Sequence, residues 1–377
     1  MIIKNGTVYQ EDRTFAKKDL YLEDGRIVED PRQVTDGTEI DAEGLYVLPG
    51  LIDVHSHGAV GYDFSDGDME GLREILRYQR AHGITTYCPT SMTLEKEEIR
   101  RIFTKMGDFV RAEGDSEEEL AHVAGINMEG PFLDASKKGA HREECIIAPD
   151  VGFFRECNEA CGNQIRLVTL APNAEGAAEF IKELHGEVVI SLGHTSADYN
   201  TAKAALEAGA DHVTHLFNAM MPLGHRAPGL IGAASEDKNC MAELICDGIH
   251  VHESVIRAAF KLFPGRIVMI SDSIRATGLT DGTYDLGGQQ VTVNGRLATL
   301  ADGTIAGSAT NLYDGMRTAM SFGISAEEAL AAATMNPARS IGIYDEVGSL
   351  TPGKRGDVIL ADSEWNLVKV IFGRQRC

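Results

Sequence analysis

Eight apolar runs are spaced along the middle of the chain, at residues 45–55, 84–91, 122–129, 165–172, 187–194, 211–218, 240–248 and 266–273. Helical periodicity follows most of them. Apolar residues recur at spacings of three and four in 68–82, 174–185, 196–208, 253–263 and 326–334. Strands that read as nearly continuous apolar runs and alternate with amphipathic helices indicate a parallel sheet covered on both faces. Eight such units favour a closed α/β architecture, a (β/α)8 TIM-like barrel, over an open sheet.

The two ends of the chain follow a different period. Residues 2–9, 18–28 and 39–48 are short, alternating or β-branched runs, broken by Asn5-Gly6 and Asp24-Gly25, which are hairpin signals. Residues 357–373 read the same way after the turn Thr351-Pro352-Gly353-Lys354. Neither end alone could bury a sheet face. The economical arrangement is one small β-sandwich domain built from both termini, residues 1–48 and 340–377, around a barrel spanning 49–339. A glycine-rich stretch near 284–307 interrupts the last part of the barrel pattern and is expected to form a hairpin over the barrel mouth.

Polar residues that carry chemistry fall where the apolar runs end. His55 and His57 close the first run, Glu129 the third and His194 the fifth; His215, Asp247 and Asp272 lie near the ends of the sixth, seventh and eighth. In a parallel barrel these ends converge on one face, where catalytic groups collect. An isolated histidine beside an apolar run is ordinarily structural, and His82, His122, His185 and His212 are read that way. His55-x-His57 differs, because period-two spacing puts both rings on one face of a strand. Three or four imidazoles and a carboxylate suit Zn or Fe, leave Mn²⁺, Co²⁺ or Ni²⁺ open, and disfavour Ca²⁺ or Mg²⁺. Five ligands exceed the needs of one catalytic zinc, so two ions bridged by Glu129 are expected. Asp272, in Ile270-Ser271-Asp272-Ser273, is placed to act as general base on an activated water; the bland alternative is a helix N-cap.

Charge and cysteine content narrow the class. A net charge of −22 over 377 residues argues against a nucleic-acid or anionic-membrane partner, and it requires local cations if the substrate is an anion. No stretch approaches the ~20 apolar residues of a membrane span. The first residues turn polar too soon for a signal peptide. Seven cysteines, at 88, 145, 157, 161, 240, 246 and 377, show no CxxC pair, as expected of reduced thiols in a cytoplasmic protein.

The motifs resemble those of the N-acetylglucosamine-6-phosphate deacetylase family of the amidohydrolase superfamily along essentially the whole chain. They are Pro49-Gly50-Leu51-Ile52-Asp53-Val54-His55-Ser56-His57-Gly58, Asn127-Met128-Glu129-Gly130-Pro131-Phe132 and Lys138-Gly139-Ala140-His141. Leu192-Gly193-His194-Thr195, Thr214-His215-Leu216-Phe217-Asn218-Ala219-Met220, Arg226-Ala227-Pro228-Gly229, Cys246-Asp247-Gly248-Ile249-His250 and Ile305-Ala306-Gly307-Ser308 continue the match. The first is shared across the superfamily, and the second and fifth are far more specific.

The resemblance implies hydrolysis of the N-acetyl group of N-acetylglucosamine 6-phosphate to glucosamine 6-phosphate and acetate, with N-acetylgalactosamine 6-phosphate as the alternative substrate. It implies metal ligation by Glu129, His194 and His215, with His55 and His57 completing a second site that some members lack. It also implies substrate contacts by Ala140, His141, Asn218, Ala219, Arg226, Asp247, His250, Ile305, Ala306 and Gly307, with His141 donating to the developing oxyanion. A homodimer is implied as well. The gluco and galacto epimers are not separated by these motifs. Cyclic-amide hydrolysis is disfavoured, since no run ends in the lysine that would bridge two metals. A non-catalytic sugar-phosphate-binding barrel is the reading from another class, although none of its expected losses is visible here.

Overall fold

The computed structural model describes residues 1–113 and 118–373; Cys377 and the last residues of the expected terminal domain lie outside them. Eight parallel strands form the barrel, here numbered 1 to 8: Leu51–Ser56, Ile84–Ser91, Ile126–Phe132, Ile165–Leu170, Val189–Leu192, His212–Val213, Met241–Ile245 and Ile267–Ile270. Strand 1 pairs with strand 2, and pairing then runs in chain order to strand 8. Strand 8 closes on strand 1 through the Asp272 N–H, which donates to the His55 carbonyl at 3.0 Å. Strands 1, 2 and 3 are buried at every residue, as expected when side chains face a filled interior on one side and helices on the other.

The helices lie where the periodicity placed them: Met69–Ala81, Ala177–Leu184, Tyr199–Glu207, Glu253–Leu262 and Ala326–Ala333. Lys96–Glu113, Val151–Ala160, Gly229–Glu236 and Leu312–Ser321 are helices that the pattern did not single out. Side-chain caps fix many of the starts, as Asp68 accepts from Glu70 N, Asp150 from Phe153 N and Asp198 from Thr201 N.

Both ends of the chain enter one seven-stranded sheet. Its order is Leu367–Ile371, Val358–Ala361, Tyr46–Pro49, Ile2–Tyr9, Phe15–Glu23, Arg26–Val28, with Glu39–Asp41 beside Ile2–Tyr9. Alternate residues serve two cores. Val8, Val47, Val358 and Leu360 pack in the sheet's own core with Ile3, Leu20 and Leu350, whereas Tyr9, Leu48, Ile359 and Ala361 join the barrel core. Asp24-Gly25 is the expected two-residue turn, both residues at positive φ. Asn5-Gly6 is not a turn. The pairing register slips between Ile3 and Gly6 inside strand Ile2–Tyr9, and Asn5, at φ 62°, is held by Asp19 and Asp41; the same left-handed preference that makes hairpins here makes a bulge.

Near the mouth, Gly282–Leu286, Gln289–Asn294 and Leu297–Thr299 form a three-stranded antiparallel sheet. The Gln289 side-chain amide donates to the Ala140 carbonyl across the opening. Among the described residues the six cysteines are buried and unpaired. No described helix is long and apolar enough to cross a membrane.

Inside the barrel a hydroxyl cluster leaves no space at the end of strand 5. Thr214 Oγ1 lies 2.8 Å from Thr169 Oγ1 and 2.6 Å from Ser191 Oγ. A Cβ on Gly193 would stand 2.6 Å from Thr214 Cβ and 3.1 Å from Thr169 Cγ2. The hydrogen-bonded threonines cannot rotate away, so Gly193→Ala should cost ~1–3 kcal/mol of stability by overpacking. A urea denaturation midpoint unchanged from wild type would refute that.

Candidate active site

The strand ends deliver their polar residues to one point. Glu129, buried at the middle of strand 3, is its centre. Its Oε1 lies 3.1 Å from His194 Nε2 and 3.0 Å from His215 Nε2. Its Oε2 lies 3.5 Å from His55 Nε2 and 3.2 Å from His57 Nε2. Asp272 Oδ1 stands 3.3 Å from His57 Nε2 and 3.6 Å from His55 Nε2. The two carboxylate oxygens of Glu129 thus face two different pairs of imidazoles. His194, His215 and Asp272 follow their strands at φ 45°, 25° and 49°. These left-handed backbones turn the side chains inward, and non-glycine residues held there mark functional sites more often than loops of no consequence.

Hydrogen bonding decides what each ring offers. His194 Nδ1 donates to the Lys137 carbonyl at 2.8 Å, His57 Nδ1 to the Thr90 carbonyl at 3.2 Å, and His55 Nδ1 to Glu243 Oε2 at 2.9 Å. Each of these three rings therefore keeps a proton on Nδ1 and turns Nε2 to the centre. Burial disfavours a second proton, but unless a metal ion is bound there the facing Glu129, Glu243 and Asp272 carboxylates outweigh it, raising His55 and bringing His57 up to about 10. His55 Nε2 is buried without a hydrogen-bond partner, and the Nε2 atoms of His194 and His215 lie only 3.0 Å apart. Facing acceptor nitrogens and carboxylate oxygens this close repel unless a cation, a proton or a metal ion, sits among them. The donor set of nitrogens and carboxylate oxygens fits a divalent metal ion.

His141 is the exception. Its Nε2 lies 3.4 Å from Glu129 Oε2, and with Glu129 and His194 it could pass for a ligand on distance alone. Its Nδ1, however, accepts from the Thr93 N–H at 3.2 Å, which puts the proton on Nε2. His141 therefore offers the cavity a donor.

Charges in the cluster are strongly coupled. Burial opposes ionisation of Glu129, but the surrounding His55, His141 and His194 hold it well below the usual carboxylate range. Burial likewise works against the Asp272 anion, while the His57 hydrogen bond and the charges of His55, His57 and His215 bring its pKa down to about 2. Burial, together with the neighbouring His141 and His215, pulls His194 down to about 4 and so keeps it a neutral donor.

The cluster floors a cavity of about 510 Å³, large enough for a hexose derivative. Of the residues expected to touch substrate, Ala140, His141, Asn218, Ala219, His250, Ile305 and Gly307 line it. Ala306 is buried behind the loop. Asp247 is buried too and accepts from His250 Nδ1 at 2.7 Å, which raises the pKa of His250 against the effect of burial. Arg226 does not line the cavity. It sits in the exposed stretch 221–227. Lys137 and Lys138 do line it, and they supply the local cations that the net charge demanded.

Sequence reading missed Lys137 and also Glu243, a fully buried carboxylate on strand 7. The available signal was a lone glutamate in the middle of an apolar run. His212, read as a structural histidine, is buried on strand 6, with Nε2 3.2 Å from Ser340 Oγ and Nδ1 3.8 Å from Glu243 Oε1.

The amidohydrolase family model matches residues 46–375. An N-acetylglucosamine-6-phosphate deacetylase from Bacillus subtilis (strain 168) is 37% identical over 380 residues, covering 98% of this chain and 95% of its own. An N-acetylgalactosamine-6-phosphate deacetylase from Escherichia coli O157:H7 is 34% identical over 328 residues, covering 86% and 85%. The crystal structure of N-acetyl-D-glucosamine-6-phosphate deacetylase from Mycobacterium smegmatis superposes with a TM-score of 0.90 at 31% identity, covering 99% of this chain and 98% of that one. By its barrel, its extent of match and its identity to these relatives, the chain belongs to the amidohydrolase family.

Proposed function

We propose that the chain hydrolyses the N-acetyl group of N-acetyl-D-glucosamine 6-phosphate to D-glucosamine 6-phosphate and acetate. The observation that carries this reading is the Glu129 cluster, with Asp272 beside it, on the floor of a cavity whose rim bears lysines. Relatives at 32–37% identity named for this reaction support the substrate.

His55 and His57 with Glu129 Oε2 would hold one divalent ion, and His194 and His215 with Glu129 Oε1 a second, Zn or Fe being the best fit to the donors. Such ions supply Lewis-acid polarisation of the amide carbonyl and activation of water. Asp272 accepts the proton of the attacking water as its oxygen bonds to the acetyl carbon. The His141 Nε2–H donates to the carbonyl oxygen as it gains charge, a contact typically worth ~2.7–4 kcal/mol in the barrier. Asp272 then passes its proton to the sugar nitrogen as the C–N bond breaks, so the amine leaves neutral. His250, Asn218 and the backbone at Ala219 hold the sugar phosphate, with Lys137 and Lys138 on the rim.

Acetate release from N-acetylglucosamine 6-phosphate and from its galacto epimer tests the assignment directly. A higher kcat/KM for the gluco compound is expected, and preference for the epimer would overturn the choice of substrate. In the same assay Asp272→Asn should lose ~10²–10⁴-fold in kcat with metal content preserved; retained turnover would remove Asp272 as the base.

The pH dependence separates base from ligands. Asp272, held to about 2, is ionised throughout the working range, so it sets no acidic limb there. Protons instead compete with the metal for imidazole nitrogens, most strongly at His55 and His57, whose facing carboxylates raise their pKa. Activity should fall below pH ~6, and raising free metal should move that limb to lower pH. A limb indifferent to metal would assign it to a group outside the ligand set.

Arg226, exposed and away from its own cavity, fits a phosphate contact made across a homodimer. Arg226→Ala should then raise KM several-fold with kcat little changed. Mixing it with a catalytically dead Asp272→Asn chain tests the geometry: a fraction of dimers with wild-type KM is expected, and none would appear if Arg226 acted within its own subunit.

A further inference from the structure

We propose that Glu243 is the positioning residue that makes His55 a metal ligand, and that it thereby decides whether a second ion is held. The proposal rests on the two-ion reading above.

Glu243 lies in the middle of strand 7, fully buried. One of its oxygens, Oε2, accepts two hydrogen bonds: from His55 Nδ1 at 2.9 Å and from the His215 backbone N–H at 3.0 Å. The first fixes the proton of His55 on Nδ1 and leaves the Nε2 lone pair facing Glu129 and Asp272. The second ties down the left-handed backbone from which the His215 ring projects. The His215 backbone has a second hold, because its carbonyl accepts from the Asn218 N–H at 2.9 Å. Glu243 is the tether of the His55 ring, so the site that depends on Glu243 is the one His55 serves.

The three tethered rings are not held alike. His57 and His194 are locked by the carbonyls of Thr90 and Lys137, which no substitution removes. His55 is locked by a side chain, and a charged one. A carboxylate partner fixes the tautomer and also makes the imidazole a stronger donor to metal. Glu243 has little else to engage it: its Oε1 makes no hydrogen bond, and the nearest other ring nitrogen, His212 Nδ1 at 3.8 Å, is likewise unpartnered. A buried carboxylate with so few partners is costly on its own, and a cation bound through His55 would offset that cost.

Equilibrium dialysis against Zn²⁺, read by elemental analysis, tests this on Glu243→Leu, Glu243→Gln and His55→Ala proteins. Wild type should hold two ions per chain, His55→Ala one. Glu243→Leu should keep one ion at wild-type affinity and bind the other ~10–100-fold more weakly. Glu243→Gln, whose amide oxygen can still accept from His55, should recover part of that loss. Two ions at unchanged affinity in Glu243→Leu would overturn the proposal while leaving the two-ion reading intact. Parallel loss of both ions would also overturn it, by showing a general structural role. One ion in wild type would overturn the two-ion reading and the proposal with it. Should Glu243→Leu not fold, ¹⁵N-histidine spectra of zinc-loaded wild type carry the test. His55, assigned by its absence from His55→Ala, must show a protonated Nδ1, and a protonated Nε2 would overturn the proposal.

Discussion

The carboxylate of Glu129 is the constraint around which the rest of the barrel mouth is arranged. It is buried, ionised, and approached by imidazole nitrogens from two sides at 3.0 to 3.5 Å. Five rings surround it: His141 turns a donor inward, and three of the other four have their Nδ1 protons fixed elsewhere, so they present Nε2 to the carboxylate. The barrel supplies the rigidity that keeps such an arrangement from relaxing. Strands buried along their length fix the Cα positions, and the left-handed turns at His194, His215 and Asp272 aim the side chains. Strain of that kind persists where the surrounding structure over-determines the backbone.

The same logic divides the histidines by role. Distance from Glu129 does not separate His141 from His57, which stand 3.4 and 3.2 Å from the same oxygen. What separates them is the group behind each ring. A carbonyl behind His57 makes its inner nitrogen an acceptor, and an amide N–H behind His141 makes its inner nitrogen a donor. An acceptor at His57 and a donor at His141 are therefore set by backbone atoms behind the rings, from Thr90 at the end of strand 2 and Thr93 just beyond it. The proposed chemistry needs both kinds of group within a few ångströms of the scissile amide, and the C-terminal end of strand 2 with the residues that follow it provides both.

Much of this was legible in the sequence, for identifiable reasons. A buried parallel strand must be apolar almost throughout, so its boundaries and its first polar residue stand out; that is how His55, Glu129, His194 and Asp272 could be placed before any fold was known. Strand 6 shows the limit. The run 211–218 read as a full strand, but only His212–Val213 pairs regularly, because the chain turns at His215, Phe217 and Ala219 with positive φ. Asn5-Gly6 shows another, since a left-handed preference alone does not distinguish a turn from a bulge. Glu243 was hidden because a lone polar residue in an apolar run has no periodic partner. Its role depends on residues 188 positions away in sequence. Arg226 stood out by motif, but whether a side chain reaches its own cavity or another subunit's is a matter of loop direction, which patterning does not encode.

The net charge of −22 looks unsuited to an anionic substrate, and the local arrangement answers this. Screening at physiological salt limits the reach of surface charge to ~8 Å, so groups at the cavity count for more than the sum over the molecule. Lys137 and Lys138 line the opening; Lys138 is paired with Glu143 at 2.9 Å, whereas Lys137 makes no ion pair among the described residues. Lys137 also lends its carbonyl to His194. A displacement of this one residue would thus move a cavity-lining cation and a ring of the Glu129 cluster together.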